Sequence, residues 1–256
     1  MLNPEVKKMM ENSVNGRNQH QIIRKDARNC FVETKSDSFP IGKIHLEFAT
    51  YDASRPAGQR QTNHVNIYID VAEFMSLAHF VLYGSCHAMM RSYKEVLKEI
   101  ERYKKTNSGQ LSRELKEKQD VINRPLYQSL GGTSAERLAQ YGRSRKDGKS
   151  LSRNVKLFVG SKADYLLCAE SGPGETDAKG LIVPKYGNKP EQRVSVSLSL
   201  SHLNEIMLIT PEHYKAWLSS WYRSSYEAPK RSNGNVGVSN NVIEDGNKDA
   251  DDMQMF

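Results

Sequence analysis

The chain has 256 residues, 38% of them hydrophobic, and its 37 lysines and arginines against 30 aspartates and glutamates give a formal net charge of +7. That composition allows a core of ordinary size beneath a very polar surface. No apolar run approaches the roughly 18 residues that span a bilayer, and MLNPEVKKMMENSVNGRNQH at the start holds no signal-peptide apolar region, so the expected location is the cytoplasm.

The elements fall in a repeated order. Residues 1–28 are polar and without a sustained period, an arm or a short frayed helix. CFVET from Cys30, then KIHLEFAT and HVNIYID, read as strands, the last two alternating Ile44, Leu46 and Phe48, then Val65, Ile67 and Ile69, against polar neighbours. Between those two lies YDASRPAGQRQTN, a basic hairpin loop. Asp70 and Glu73 have the spacing of a capping box at the head of the helix VAEFMSLAHFVLYG, and a second helix follows through MMRSYKEVLKEIERYKK. SRELKEKQDVIN is a third, ended by Pro125.

The stretch PLYQSLGGTSAERLAQYGRSRKDGKSLSRN carries too few apolar residues to stand alone. After it, NVKLFV, DYLLCAE, KGLIVPKYG and QRVSVSLS read as four strands. SGPGE at 171–175 reads as a hairpin turn, since it lacks the lysine and following helix of a phosphate-binding loop. LSHLNEIMLI begins at a serine cap, and Thr210 with Pro211 opens a further helix, TPEHYKAWLSSWYRSSYE.

The expected fold class is therefore α+β, two antiparallel sheet units each followed by helices. The units are an arm (1–28), a first strand-helix unit (29–108), a helical and basic linker (109–153), a second strand-helix unit (154–226) and a disordered acidic tail (227–256).

An enzyme is not expected. There is no P-loop, G-x-G-x-x-G, H-E-x-x-H or paired-cysteine zinc spacing, and Cys30, Cys86 and Cys168 read as small core residues, so neither metal nor cofactor is implied. His79 and His87 lie eight apart without a completing carboxylate and read as ordinary packing.

Nucleic-acid binding is better supported, because single strands are held by cations tracking phosphates and by aromatic faces that take the bases. Tyr51, Arg55 and Arg60 lie at the first hairpin, with Tyr68 on the polar face of the next strand. Lys179, Lys185, Tyr186, Lys189 and Arg193 surround the second, and the linker supplies Arg137, Tyr141, Arg143, Arg145, Lys146, Lys149 and Arg153. For any one of these, a solvated side chain is the competing reading.

Strand-rich units each closed by a helix resemble, in their order, the Whirly and positive-cofactor-four type of single-stranded DNA-binding fold, though the lysine-rich strand motif of Whirly proteins is missing. GNKDADDMQMF resembles the C-terminal tip of bacterial single-stranded DNA-binding proteins. Asp249, Asp251 and Asp252 stand for the acidic part and Phe256 for the final aromatic, while Met253 and Met255 replace the usual isoleucine-proline step. The resemblance implies a largely sequence-independent single-stranded DNA-binding protein of replication, recombination or repair, a possible homo-oligomer, whose tip recruits DNA-processing partners. The alternatives are a protein-interaction factor of a phage or mobile element, a metal-dependent nickase using Glu170 and Glu175, and a sequence-specific duplex binder.

Overall fold

The computed structural model describes residues 19–56, 58–187 and 189–226. The fold is α+β. A four-stranded antiparallel sheet runs in the order β1 (Gln21–Ala27), β2 (Cys30–Lys35), β3 (Lys43–Tyr51) and β4 (Gln61–Asp70). Three helices follow: α1 (Val71–Leu82), α2 (Ser85–Thr106) and α3 (Arg113–Ile122). The second sheet holds β5 (Tyr127–Thr133), β6 (Ser150–Val159), β7 (Tyr165–Thr176), β8 (Ile182–Pro184) and β9 (Gln192–Leu198), with the short helix α4 (Ala135–Gln140) between β5 and β6. Strand β7 pairs along its length with β6, and its other edge is shared by β9 and β8. The long helix α5 (Leu200–Tyr226) closes the second unit.

Alternation sets both sheets. In the first, Val32, Ile44, Leu46, Phe48, Val65, Ile67 and Ile69 point inward; in the second, Val155, Leu157, Leu167, Ala169, Val194, Val196 and Leu198 do. These residues join Phe74, Leu77 and Val81 of α1 and Leu203, Ile206 and Met207 of α5 in one continuous cluster. The two units therefore share a core. Truncating fully buried Phe48 or Phe74 to alanine would cost about 3–5 kcal/mol. Helices α2 and α3 add a small satellite core around Ile100, Leu115 and Ile122. All three cysteines are buried and free, and burial pushes the Cys86 thiol up to about 11. No helix among the described residues is long and apolar enough to cross a membrane.

Several expectations are corrected. Residues 21–27, read as part of an arm, are β1: the two-residue turn Arg28–Asn29, with Asn29 at φ 60°, folds the chain back so that Ala27 faces Cys30. Within the stretch read as a linker, β5 pairs residue for residue with β6, although after Tyr127 its inward positions Ser129, Gly131 and Thr133 carry no hydrophobic signal. Residues 171–175 are not a turn but the continuation of β7, and the chain reverses at Asp177–Gly180 instead. The glycines there serve packing: a Cβ on Gly172 would stand 2.8 Å from the Tyr186 ring, and one on Gly174 equally close to Ile182.

Asp70 makes no side-chain cap; Lys43 draws its carboxylate to 2.8 Å, and Glu73 accepts from the Tyr127 hydroxyl at 2.7 Å. Thr210 and Pro211 do not open a helix. Both are buried inside α5, where Thr210 shares a hydrogen bond with Thr34 at 2.9 Å, and packing of this face outweighs the backbone bond that the proline lacks. Ser199 does cap α5, accepting from the His202 amide.

Candidate nucleic-acid interface

The inward face of the second sheet is built in rows. Val155, Ala169 and Val194 form one row across β6, β7 and β9, and the next row is Arg153, Ser171 and Gln192. The apolar core stops between them. Beyond that step the sheet overhangs, and the edge strand of the first sheet, β4, lies alongside. Its polar face carries His64, Asn66 and Tyr68, every second residue, opposite Ala49, Glu47 and His45 of β3.

A cleft of about 380 Å³ occupies this junction, between His64 and Asn66 on one side and Arg153, Ser171, Gln192, Glu191 and Arg145 on the other. A second hollow of about 450 Å³, along Gly58, Gln61, Thr62 and Asn63, shares His64 and Gln192 with it, so the depression continues up to the β3–β4 loop. Asn63 donates its side-chain amide to the Arg193 carbonyl at 2.9 Å, and Cys30 Sγ donates to the Ser195 carbonyl; these bonds lock the two sheets at the cleft's edge.

The cations in the cleft are held in place. Arg145 binds Glu191 through both terminal nitrogens, at 2.9 and 2.6 Å, and Asp147 through Nε and Nη2. The pair raises the guanidinium's pKa and lowers that of Glu191. Arg153 donates to Thr133 at 3.3 Å. Beneath β4, the His64 imidazole 3.0 Å from Glu47, together with Lys35 at 2.6 Å, pulls the half-buried Glu47 down to about 2. His45 stands between Asp37 (2.8 Å) and the Asn66 oxygen (2.9 Å), and its ring lies stacked under Tyr68 at 4.3 Å.

Of the three predicted basic segments, the linker end puts Arg145 and Arg153 in the lining, the β3–β4 loop that carries Arg55 and Arg60 borders the second hollow through Gly58 and Gln61, and β9 begins beside it at Gln192. Lys146 and Lys149 flank Arg145 and are exposed; Arg143 is exposed just before it. The other predicted residues lie elsewhere or play other parts. Arg137 is on α4 and Tyr141 just after it. Tyr51 packs near Phe31 on the outer face of the first sheet. Lys179 sits in the β7–β8 turn, and Lys185 pairs with Glu175 at 2.6 Å. Tyr186 covers Gly172 on the far face of the second sheet, where burial pushes its hydroxyl up to about 12, and Lys189 follows in that loop. Arg193 reaches Glu170 on that same far face at 3.5 Å. Asp249, Asp251, Asp252 and Phe256 lie outside the described residues.

Sequence reasoning did not find His64, Asn66, Ser171 or Gln192. Each is an ordinary polar position on an alternating strand, and only the juxtaposition of the sheets distinguishes it. The carboxylates considered for a nickase are ion-paired, Glu170 with Lys156 at 2.8 Å and Glu175 with Lys185, and among the described residues no three histidine, cysteine, aspartate or glutamate side chains gather as metal ligands. Comparison with known proteins finds no match: no family model fits the chain, and no curated protein and no solved structure is similar to it.

Proposed function

We propose that this protein binds single-stranded DNA along the β4 cleft, largely independent of sequence, and that its acidic segment Asp249–Phe256 recruits DNA-processing proteins. The observation that carries the reading is a cleft of nucleotide size lined by Arg145 and Arg153, continued by a hollow along the loop that carries Arg55 and Arg60. Such a cleft suits a flexible strand with splayed bases better than a duplex, whose two backbones keep the bases inside. Tyr68, two residues along β4 from Asn66 and backed by His45, supplies an aromatic surface in line with the cleft. The order of elements, strands then helix in each unit, supports the same reading by analogy of fold only. Binding is by charge and stacking.

The test is photocrosslinking of a 5-bromodeoxyuridine strand, with the attached peptides mapped by mass spectrometry. Adducts on β4, on Arg143–Arg153 and on Glu191–Arg193 are expected. Adducts confined to the β7–β8 turn or to the aromatic end of α5 would overturn the assignment.

A further inference from the structure

An apolar surface lies open between α1 and α5. Met75, His79 and Leu82 stand at helical spacing on α1, Leu208, Pro211 and Lys215 do so on α5, and the six line one groove. Tyr83 stacks on the groove's His79, the ring centroids 4.1 Å apart. His87, five residues beyond Leu82, bonds Asn204 at 2.9 Å. That bond places the end of α1 beside the start of α5, so the free end of α5 points away from Leu82.

The row on α5 does not stop with the groove. At the same spacing it continues through Leu218, Tyr222 and Tyr226, and from Ser219 onward every residue of α5 is exposed. One half of the row is therefore lined by α1, and the other half runs on without a wall.

Charge and area both fit a second copy of the chain as the occupant. Glu212 and Lys215 lie in the groove 2.8 Å apart, 59% and 62% exposed, and an exposed pair of this kind contributes little within one chain. A two-fold axis passing between them sets Glu212 of each copy against Lys215 of the other. The same axis carries Tyr222 and Tyr226 of each copy toward Leu82 and Tyr83 of the other, the self-complementary contact that a two-fold requires. With one charge of each sign, the groove has no excess to draw a phosphate backbone. Leu82, Tyr83, Leu208, Tyr222 and Tyr226 are 41%, 76%, 56%, 49% and 85% exposed. At about 200 Å² for an aromatic side chain they offer roughly 500 Å² per copy, or about 1,000 Å² for the pair, the size at which an interface becomes specific.

We infer that two copies of this chain associate through this groove, α5 against α5, about a two-fold axis near Glu212 and Lys215. The association uses a surface other than the β4 cleft and does not depend on the nucleic-acid reading.

The test is sedimentation velocity of the full chain across the micromolar range, with lysine-directed crosslinking of the same samples. A dimer is expected, with Lys215 linked to Lys215; a link between identical residues forms only between copies. Leu208→Glu, at an exposed position, should weaken the dimer on the order of thirtyfold. Glu212→Lys and Lys215→Glu should each be monomeric alone and should form a mixed dimer with each other, because the mixture restores both cross pairs. A monomer at every concentration, or a dimer indifferent to Leu208→Glu and to the charge variants, would overturn the inference. So would a monomer with Lys7 or Lys8 linked to Lys215, which would show that the chain's own first residues cover the groove.

Discussion

Asn63 of β4 donates its side-chain amide to the main-chain carbonyl of Arg193 in β9, 2.9 Å away, and so ties the edge of one sheet to the start of the other's last strand. The bond spans 130 residues of sequence and sits where the two hollows meet. Asn63→Ala is expected to cost about 1 kcal/mol in urea denaturation and to weaken single-strand binding in addition. A fall in stability with binding unchanged would mean that the junction holds the fold but not the cleft.

Charged side chains should separate by position. Arg153→Ala and Arg60→Ala are each expected to reduce the slope of log affinity against log salt by about 0.7, the share that one neutralised phosphate of a single strand contributes. Lys185→Ala, at the β7–β8 hairpin and paired with Glu175, should leave the slope unchanged.

Glu47 makes stability depend on pH. Its folded pKa of about 2, set by His64 and Lys35, lies below the ordinary glutamate value near 4.3. A depressed carboxylate contributes stability that is complete above the unfolded value and is lost as pH falls toward the folded one. About 2 kcal/mol should therefore disappear between roughly pH 5 and pH 2. Glu33, which burial raises, acts in the opposite direction and softens the loss. Glu47→Gln should flatten this part of the profile in chemical denaturation; an identical profile in wild type and variant would contradict the assignment.

Two adjacent glycines of β5 should behave differently. A Cβ on Gly132 would stand 2.3 Å from the Leu151 carbonyl oxygen and 2.6 Å from Ile182, whereas one on Gly131 meets only the Arg153 carbonyl at 4.0 Å. Gly132→Ala should destabilise by about 3 kcal/mol, a fall in Tm of roughly 10 °C, and Gly131→Ala should be neutral or slightly stabilising.

The acidic segment should act on the basic cleft as well as on partners. Replacing Asp249, Asp251 and Asp252 by asparagine is expected to tighten DNA binding at low salt and to have little effect at high salt, where the attraction is screened. Unchanged low-salt affinity would count against that competition.

The parts of the fold legible in the sequence are those whose side chains announce a period: β3 and β4 with Ile44, Leu46 and Phe48 against Val65, Ile67 and Ile69, and β9 with Val194, Val196 and Leu198. Strands specified by their partners are not legible. β5 is small and polar inward beyond Tyr127, and β1 alternates poorly because Ile22 and Ile23 are adjacent. Pro211 and Thr210 look like a helix start because local propensity is all that a sequence window reports, while in the fold Thr34 and the shared core keep the helix running. For the site, arginines advertise themselves but their meeting does not. That Arg153, Ser171 and Gln192 form one row, and that β4 lies beside it, depends on strand register and on how the sheets abut.

The most direct test of the central claim is fluorescence anisotropy of a labelled single strand against a duplex of the same length, titrated with the full chain at two salt concentrations. Tight binding that prefers the single strand and weakens steeply with salt is the predicted result. Equal or stronger binding to the duplex, or no binding at either salt, would contradict it.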